Sequence, residues 1–495
     1  MKKINEIYSR SEKPIKIIQF GEGNFLRGFV DYAIDVANEK GVFCGDVAVV
    51  KPRRGNLEKF HCQDNLYTVS LRGIKDGKIY EENRVITCLQ KTLAAYEQYD
   101  EFMALAKLPE LEFVVSNTTE AGIVYDGEDA LTLLPPNTYP GKLTKFLYER
   151  FTAFQGDPTK GLTMLPIELI EANGEKLQQC VLNYSILWKL EDSFKTWILE
   201  HNIFCNTLVD RIVTGYPKNE AKDLEEKLGY QDELLTAGEP FGLWVIESKV
   251  DISKRLPLST DTLSVVFTED LKPYRDRKVR ILNGAHTSTV LAAFLAGKDY
   301  VLECMQDPII RKYMEQIVLH EIVPTVKLPH QEAVDFAHSV FERFENPFVK
   351  HALLSISLNS VSKWKARILP ILNDSYHNEK TIPKLIAFSF AALISFYSAQ
   401  EHKEGSLIGY RNGESYSICD DEKVLQFFAH SSSKSIAELS LMVAANIDFW
   451  GEDLTTYVGF VDMIKLHLEN IKKDGMYQTM KKLTESKKVQ LCSNL

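Results

Sequence analysis

A short apolar strand, a glycine-containing turn and a helix follow one another within the first forty residues, and this succession constrains the fold most. The strand is predicted over Ile15–Phe20, the glycine-containing segment follows over residues 21–28, and a helix is predicted over residues 29–38. In a dinucleotide-binding fold such glycines let the backbone approach a pyrophosphate, which sits at the helix N-terminus. Leu26 stands where the third glycine of G-x-G-x-x-G usually lies, so a tight structural turn is the alternative interpretation. The prediction is an α/β chain with an N-terminal Rossmann-like domain.

The end of the second predicted strand bears on the choice of cofactor. That strand, Asp46–Val50, runs into Lys51, Arg53 and Arg54. An NAD site usually places an acidic side chain there to hold the ribose hydroxyls, whereas cations would suit the extra phosphate of NADP. The alternative is that these cations face solvent beside the adenine. We expect Lys51 to contact the cofactor, and this local chemistry leaves NADP open.

Further strands and one polar segment complete the pattern of the first domain. Strands are predicted over residues 67–72, 84–87, 111–115 and 162–167, and an amphipathic helix over residues 94–105. The polar segment Ser116–Gly122 follows one of these strands, and ligands in open α/β sheets bind beyond the carboxyl ends of strands. Asn117 and Thr118 are therefore candidates to contact the nicotinamide ribose and the substrate. A polar loop that caps a helix is an equally good interpretation.

The composition excludes several classes of protein. A net charge of −10 does not suit a nucleic-acid binder, because nothing would offset repulsion from the phosphates. The longest apolar stretch, residues 385–397, is too short to cross a bilayer, so we expect a buried helix and no membrane partner. The N-terminus shows no apolar signal segment. Eight scattered cysteines without a C-x-x-C pair predict a reduced, cytoplasmic protein without a metal site.

The periodicity of the sequence changes near residue 270. Strand-length runs precede this point, and long helical patterns follow it without repeats or a long linker. We therefore predict two domains. Residues 1–270 would form a Rossmann-like NAD-binding domain, and residues 271–495 a mostly helical domain with catalytic and substrate-binding groups.

The helical half begins with a candidate proton-transfer cluster at Lys278, Asn283 and His286, and an apolar helical run follows. At about 100° per residue, Asn283 lies ~140° and His286 ~80° around a helix from Lys278, so all three can project from one broad side. Burial lowers the pKa of a lysine toward neutrality and makes it a base, and an asparagine N–H can stabilise an alkoxide. From spacing alone, a solvated lysine and a structural core histidine are the favoured alternative.

The pattern Lys278-x4-Asn283-Gly284-x-His286 resembles the catalytic motif of the polyol-specific long-chain dehydrogenases, the mannitol dehydrogenase family. The resemblance implies that Lys278 is the general base and that Asn283 and His286 bind the reacting oxygen. The glycine turn is also similar to that family's Gly-x-Gly-x-Phe-x-Arg form. This similarity favours NAD as the cofactor, with NADP not excluded. The cofactor-binding residues expected at the turn are Phe20, Gly21, Gly23, Asn24, Phe25 and Arg27.

Departures from the family pattern point to the substrate. Glu168-Leu169 stands where the mannitol enzymes carry Asp-Asn, so their oxyanion-binding asparagine has no counterpart here. Ser355 replaces a substrate-binding arginine of the family. The segment Ser116–Gly122 is similar to the branch of the family that interconverts D-altronate and D-tagaturonate. The resemblance therefore implies a hexuronate or aldonate substrate.

The resemblance also suggests substrate-binding residues. Asn206 and Asp210 lie in a segment that matches the family near its active site, with a structural ion pair as the safer interpretation of Asp210. Lys363 matches a family lysine that helps to bind substrate, and Lys350 and His351 lie nearby in sequence. Cationic donors suit a substrate carboxylate. A solvated helix face is an equally good interpretation of Lys350 and His351.

The expected activity is an NAD-dependent oxidoreduction between D-altronate and D-tagaturonate. Lys278 would give and take the proton, and hydride would pass directly to the nicotinamide. Reduction of fructuronate or oxidation of a mannitol-type polyol is the nearest alternative, and a nucleotide-sensing protein without catalysis is a remoter one. The expected partner is a small molecule, and the assembly a monomer or a small homo-oligomer.

Overall fold

The computed structural model describes residues 1–119, 122–398, 401–403, 405–431 and 433–485, with only the backbone described for 401–403. Glu120 and Ala121, which belong to the predicted polar segment Ser116–Gly122, lie outside the described residues. The chain divides into two compact units, unit 1 at Met1–Leu271 and unit 2 at Lys272–Leu495.

Unit 1 is built on a parallel sheet, which we call the central sheet. Its strands are ordered across the sheet as Leu89–Ala94, Asp46–Lys51, Ile15–Phe20, Phe113–Ser116, Thr163–Pro166 and Ile203–Phe204. Ile15–Phe20 lies in the middle, so the strand order reverses beside it. Open α/β sheets bind ligands beyond the carboxyl ends of strands at such a point. The predicted strands at residues 15–20, 46–50, 111–115 and 162–167 are confirmed, with small shifts at their ends.

Alternate residues of the central strands enter two separate apolar cores. Ile17 and Val49 pack into one core, whereas Ile18 and Val50 pack into the other. Successive side chains of a strand point to opposite faces, and a parallel strand that is covered on both faces is apolar throughout. This burial on both faces explains why Asp46–Lys51 reads as a nearly continuous apolar run instead of an alternating one.

Helices and smaller sheets surround the central sheet. The helices are Glu58–His61, Tyr99–Ala104, Tyr139–Ala153, Asn173–Leu187, Asp192–His201 and Ala221–Leu228, with 3₁₀ turns at Ile4–Glu6, Leu105–Lys107 and Pro158–Lys160. The strands of a second sheet are Val213–Gly215, Thr236–Gly238, Tyr67–Lys75 and Lys78–Ile86, and those of a third are Asn206–Asp210, Leu243–Glu247 and Ser264–Thr268. Lys2–Lys3 pairs with Tyr230–Gln231. The strand predicted at residues 67–72 is confirmed, and the one predicted at residues 84–87 begins earlier, at Lys78; the two form an antiparallel pair.

The helix predicted over residues 94–105 is wrong in its first half. Leu89–Ala94 is a strand that pairs with Asp46–Lys51, and the helix is confined to Tyr99–Ala104. The Ala95 N–H donates to the Lys51 carbonyl oxygen at 3.0 Å and so continues the strand pairing. Helix propensities differ by less than about 1 kcal/mol per residue, so tertiary pairing overrides them here.

The helix that follows the glycine turn begins earlier than predicted. It runs from Asn24–Leu26 through a widened π turn at Arg27–Asp31 into Tyr32–Glu39. The helical conformation therefore starts immediately after Gly23, five residues before the predicted start at Phe29. This early start places the helix N-terminus directly at the glycine turn.

Unit 2 is mainly helical, as predicted. Its helices are Lys272–Arg277, Gly284–Leu295, Val301–Gln306, Pro308–Ile317, His330–Phe344, Leu353–Ile356, Ser360–Arg367, Leu369–Glu379, Lys384–Tyr397, Glu422–Ser431, Ile436–Ala444, Ile447–Trp450, Phe460–Asp474 and Met476–Glu485. Wider π turns lie at Lys278–Asn283 and Val318–Ile322, and 3₁₀ turns at Val323–Thr325 and Leu454–Thr456. The apolar stretch at residues 385–397 is a buried helix, as expected. Within the described ranges, no helix combines the length and the apolar character that a membrane span requires.

An antiparallel sheet in unit 2 is absent from the sequence prediction. Its strands are Glu401–Lys403, Ser406–Arg411 and Glu414–Ile418. Asn412 and Gly413 form the second connection, with φ of 54° and 86°. An Asn-Gly pair between alternating segments is a strong hairpin signal, so this hairpin was readable from the sequence.

Candidate active site

The glycine turn, Gly21–Gly23, is tight at one end and open at the other. Gly21 has φ of +121°, and a Cβ there would lie 2.9 Å from Leu26 Cδ1 and 3.0 Å from the Asn117 carbonyl oxygen. A Cβ on Gly23 would meet no described atom within 4 Å. The helix that starts at Asn24 presents backbone N–H groups without intrahelical partners, which is a favourable site for an anion. The turn therefore fits the pyrophosphate of a dinucleotide.

The polar side chains predicted beside this turn hold each other. Arg27 is buried and donates hydrogen bonds to Asn24 Oδ1 and to the Leu234 carbonyl oxygen. Burial lowers the pKa of its guanidinium. Phe25 stacks on Phe29 with ring centroids 4.9 Å apart. Arg27 thus anchors the first turn of the helix, and the contact of these side chains with a cofactor stays a prediction.

Phe20 and Asn117 lie at neighbouring strand ends of the central sheet. The Asn117 N–H donates to the Phe20 carbonyl oxygen at 3.1 Å, and the Gly21 N–H donates to the Val50 carbonyl oxygen at 3.0 Å. The Phe20 ring is buried against Tyr139, whereas the Asn117 side chain is half-buried. Backbone bonds therefore hold the glycine turn against both neighbouring strands.

A buried carboxylate, Glu168, joins the next two strand ends. It accepts hydrogen bonds from the Ser116 hydroxyl at 3.0 Å, the Thr118 N–H at 3.0 Å and the Thr118 hydroxyl at 2.9 Å. Burial raises the pKa of Glu168, and these hydrogen bonds act against the rise. The adjacent Leu169 is exposed. This role of Glu168 was not predicted. The Thr118 hydroxyl uses its one donor for Glu168, so it can offer a ligand only an acceptor.

Lys51 forms an ion pair with Glu22, the middle residue of the glycine turn. Both side chains are mostly shielded from solvent. Nearby, the Arg54 guanidinium lies 4.5 Å from the centroid of the Tyr96 ring. The positive charge of Lys51 is thus matched by a carboxylate within unit 1, a pairing that the sequence analysis did not consider.

Asn206 is held in a structural network of unit 1. Its carbonyl oxygen accepts from the backbone N–H groups of Gly174 and Glu175, at 3.0 and 3.2 Å. Its amide nitrogen donates to the carboxylates of Glu175 and Glu247, at 3.0 and 2.8 Å. The hydrogen-bonding capacity of an amide is satisfied by these four contacts. Asp210 is buried at the end of the same strand, and substrate binding by either residue stays a prediction.

In unit 2, Lys278, Asn283 and His286 lie on one continuous helical segment. Lys278 and Asn283 are half-buried and span a π turn, in which the Gly284 N–H bonds to the Val279 carbonyl five residues earlier. The predicted separation of ~140° between Lys278 and Asn283 assumed α-helical geometry. The wider π turn changes this angle, and the projection of the two side chains from one side of the helix stays a prediction.

His286 is buried on the helix that begins with Gly284. Its ring stacks on Phe344 with centroids 4.2 Å apart and lies perpendicular to His351 at 5.3 Å. Burial, followed by the neighbouring charge of His351, lowers the pKa of His286 well below its ordinary value. Its Nε2 atom has no hydrogen-bond partner among the described residues. The imidazole is therefore neutral and offers one unengaged nitrogen, which fits the binding of a substrate oxygen.

Cationic side chains converge on His286. Arg367, Arg343 and Lys363 each depress its pKa through their charge. The Lys363 amine donates to the Ile356 carbonyl oxygen at 2.8 Å, and the Arg367 guanidinium donates to the Thr287 hydroxyl at 3.1 Å. Burial lowers the pKa of both Lys363 and Arg367. The result is a positively charged environment around a neutral imidazole.

The remaining predicted substrate residues differ in their placement. His351 is half-buried beside His286, and burial lowers its pKa. Lys350 is exposed. Ser355 is exposed, and its hydroxyl donates to the Ala352 carbonyl oxygen. The structure thus brings His351 and Lys363 close to His286, and Lys350 lies in solvent.

The sequence analysis missed Arg343 and Arg367 as members of this environment. Arg367 stands four residues after Lys363 on the helix Ser360–Arg367, and residues at this spacing share a helix face. That spacing was the available signal. The proximity of Arg343 to His286 depends on tertiary packing, since the two residues are far apart in sequence.

Among the described residues, no group of three or more His, Cys, Asp or Glu side chains is arranged to hold a metal ion. The candidate chemistry rests on Lys278, Asn283 and His286, with cations nearby. An amine, an amide and a neutral imidazole can together move a proton and stabilise a developing oxyanion.

Comparison with known proteins identifies the family. The mannitol dehydrogenase Rossmann domain matches residues 15–260, and the mannitol dehydrogenase C-terminal domain matches residues 270–472. The altronate oxidoreductase of Pectobacterium carotovorum is 42% identical over 473 residues, with 94% of this chain and 96% of the relative covered. The altronate oxidoreductase of Bacillus subtilis is 41% identical over 486 residues, with 97% and 98% covered.

A solved structure agrees at the level of the fold. The mannitol 2-dehydrogenase of Pseudomonas fluorescens, in a ternary complex with NAD and D-mannitol, is 22% identical with a TM-score of 0.62. The match covers 96% of this chain and 95% of that one. The two domain matches and the altronate oxidoreductase relatives confirm the family resemblance inferred from the Lys278 motif. With both domains matched in order and close relatives covered almost end to end, the chain belongs to the mannitol dehydrogenase family.

Proposed function

We propose that the chain is an altronate oxidoreductase that interconverts D-altronate and D-tagaturonate with a nicotinamide dinucleotide. The observation that carries the proposal is the environment of His286, a buried neutral imidazole with an unengaged nitrogen among the cations Lys363 and Arg367. Such a site suits a substrate that has both a reacting hydroxyl and a carboxylate. Relatives named altronate oxidoreductase, at 41–42% identity over almost the whole chain, support the same substrate.

We further propose NAD as the cofactor. The open face at Gly23 and the helix N-terminus at Asn24 suit its pyrophosphate, and a solved protein of the same fold binds NAD. The ion pair between Lys51 and Glu22 favours NAD over NADP. An additional phosphate near Lys51 would also meet the carboxylate of Glu22, and like charges repel.

The proposed mechanism assigns the proton to Lys278. During oxidation its neutral amine takes the proton of the substrate hydroxyl, and during reduction its ammonium form returns a proton to the oxygen. The bound nicotinamide supplies hydride acceptance and donation. Asn283 and His286 hydrogen-bond the oxygen as its negative charge develops, and Asn283 does so without bringing a charge of its own.

His286 suits this role because it is neutral. Burial first, and then the charges of His351, Arg367, Arg343 and Lys363, lower the pKa of His286 and so disfavour a protonated imidazole. A neutral imidazole still donates one hydrogen bond through the nitrogen that carries its proton. His286 therefore binds the oxygen without competing with Lys278 for the proton.

The proposal can be tested with purified protein. The oxidation of NADH and of NADPH is measured with tagaturonate, fructuronate and fructose in parallel. We expect tagaturonate with NADH to give the highest kcat/KM. Preference for fructuronate would overturn the proposed substrate, and preference for fructose would overturn the proposed role of the cations. Preference for NADPH would overturn the interpretation of the Lys51–Glu22 pair.

A further inference from the structure

The helix Ser360–Arg367, which we call the cation helix, presents two basic side chains toward the same region. Lys363 and Arg367 are four residues apart and therefore lie one above the other on one helix face. Both are half-buried, and each carries a charge that acts on His286. The Arg367 guanidinium is held at 3.1 Å from the hydroxyl of Thr287, the residue next to His286. The cation helix therefore places positive charge beside the candidate oxygen-binding group.

Arg367 differs from other shielded arginines of this chain in its partners. Arg150 donates to the carbonyl oxygens of Ala106, Leu108, Leu111 and Lys160. Arg280 pairs with the carboxylate of Asp374 and also donates to a carbonyl oxygen. In the described part of the chain, Arg367 has one hydrogen bond, to Thr287, and no ion pair.

Lys363 likewise has few partners for its charge among the described residues. Its amine donates to the Ile356 carbonyl oxygen, and within the described ranges it forms no ion pair. Asp420 influences Lys363 only as a minor charge, behind burial and Arg367. A substrate carboxylate would supply the negative charge that these two half-buried cations lack among the described residues.

We propose that Arg367, together with Lys363, binds the carboxylate of the substrate and makes the enzyme specific for an acid over a neutral polyol. This inference rests on the proposed function and names a residue for the part of the substrate that does not react. A guanidinium has five N–H donors in a planar fork that matches the two oxygens of a carboxylate. One donor contacts Thr287, which leaves the others for the ligand.

The proposal also explains the discrimination against neutral polyols. A hexitol has a hydroxymethyl group where altronate has its carboxylate, so it would leave both cations without a counter-charge. Sites whose buried polar groups stay unpaired with the wrong ligand reject that ligand strongly. Arg367 is therefore a specificity-determining residue, and Lys278 keeps the chemical step.

Arg367→Gln tests the proposal, with Lys365→Gln as the matched control. Lys365 is an exposed cation on the same helix, so its substitution removes the same charge without touching the site. A charge-assisted hydrogen bond contributes enough that we expect KM for altronate to rise about 10- to 100-fold in Arg367→Gln. We expect a smaller change in kcat, and wild-type values for Lys365→Gln.

A binding measurement separates the carboxylate from other effects. Altronate and the corresponding neutral hexitol are titrated calorimetrically into the complex of enzyme with NADH, in which altronate cannot be oxidised. We expect Arg367→Gln to weaken the binding of altronate and to leave the binding of the hexitol unchanged. Arg367→Lys keeps the charge but loses the planar fork, so its affinity for altronate should lie between those of Arg367→Gln and wild type. Equal weakening of both ligands, or weaker binding of NADH itself, would overturn the assignment of Arg367.

The two proposals fail in different ways. If wild-type enzyme prefers another hexuronate to tagaturonate, the proposed substrate is wrong and the Arg367→Gln comparison is made with that acid. If wild-type enzyme prefers neutral polyols, both proposals are wrong. If circular dichroism shows that Arg367→Gln is not folded, Thr287→Val serves as the test instead. This variant keeps the guanidinium but removes the hydroxyl that holds it, so it should raise KM for the acid only.

Discussion

Lys278 is the residue on which the proposed proton transfer depends. Lys278→Ala removes the amine, whereas the glycine turn consists of residues of unit 1 and stays unchanged. General acid–base groups contribute roughly 10²–10⁴-fold to rates, so we expect kcat to fall by that factor. NADH oxidation measures kcat, and a fluorescence titration should give a dissociation constant for NADH close to that of wild type.

Lys365→Ala is the control for the loss of a lysine in unit 2, because Lys365 is exposed and lies outside the proposed site. Turnover by Lys278→Ala at a rate near that of wild type would show that another group moves the proton. Loss of NADH binding in the same variant would instead point to a structural role.

The surroundings of the reacting groups could be predicted only in part. The motif that contains Lys278, Asn283 and His286 was visible because its members are close in sequence. Phe344, which stacks on His286, and Arg367, which lies near it, are distant in sequence. No local pattern reports such contacts, since they arise only when separate helices pack together.

The glycine turn yields a prediction at the level of the element. Gly23→Ala adds a Cβ into space that no described atom occupies within 4 Å, so the fold should tolerate it. The same Cβ would obstruct a pyrophosphate that must approach the backbone closely. We expect weaker NADH binding in a fluorescence titration, with an unchanged Tm.

Gly21→Ala is the matched comparison within the same turn. It forces a side chain onto φ of +121° and a Cβ to 2.9 Å from Leu26, so we expect a lower Tm as well as weaker NADH binding. Unchanged NADH affinity in Gly23→Ala would contradict the placement of the pyrophosphate at this turn.

The elements that the sequence predicted incorrectly have local physical causes. The helix predicted over residues 94–105 begins later because Ala94 and Ala95 continue the strand pairing with Asp46–Lys51, which overrides their helical propensity. The π turn at Lys278–Asn283 contains one more residue than an α turn, and no residue type marks it in the sequence. The hairpin around Asn412 and Gly413 did carry a sequence signal, the Asn-Gly pair itself, within a half of the chain that is otherwise helical.

For the whole molecule, a buried carboxyl group predicts how stability changes with pH. Asp31 is fully buried and accepts a hydrogen bond from the Tyr67 hydroxyl at 2.8 Å. Burial raises its pKa from 3.8 to about 7, although the bonds from Tyr67 and Gln19 oppose the rise. The folded chain therefore keeps a proton that the unfolded chain releases. The contribution of Asp31 to the free energy of unfolding is therefore fully present below pH 3.8, and it is lost as the pH rises through about 7.

Asp31→Asn removes this dependence, because an amide stays neutral at every pH and can still accept from Tyr67. We expect the Tm of the variant minus that of wild type to increase from about pH 5 to about pH 8 in calorimetry. Asp223→Asn, at an exposed carboxylate, is the control and should show no such trend. A constant difference for Asp31→Asn would mean that Asp31 is ionised in the folded chain throughout this range.

Features that depend only on neighbouring residues could be inferred before the fold was known. These include the apolar strands around Ile15–Phe20, the glycine turn, the change to helical periodicity near residue 270 and the motif that begins at Lys278. Each is a local pattern of polarity or of backbone freedom, so it can be read without knowing the fold.

Features that join distant residues emerged only with the tertiary fold. Lys51 pairs with Glu22, the side-chain amide of Asn206 has its hydrogen bonds within unit 1, and Arg367 lies beside Thr287. The charge and hydrogen-bonding state of a side chain depend on all groups within a few ångströms, whatever their separation in sequence. For this reason the sequence indicated the family and the candidate reacting residues, whereas the packing of unit 2 is the basis of the proposal that Arg367 and Lys363 bind a carboxylate.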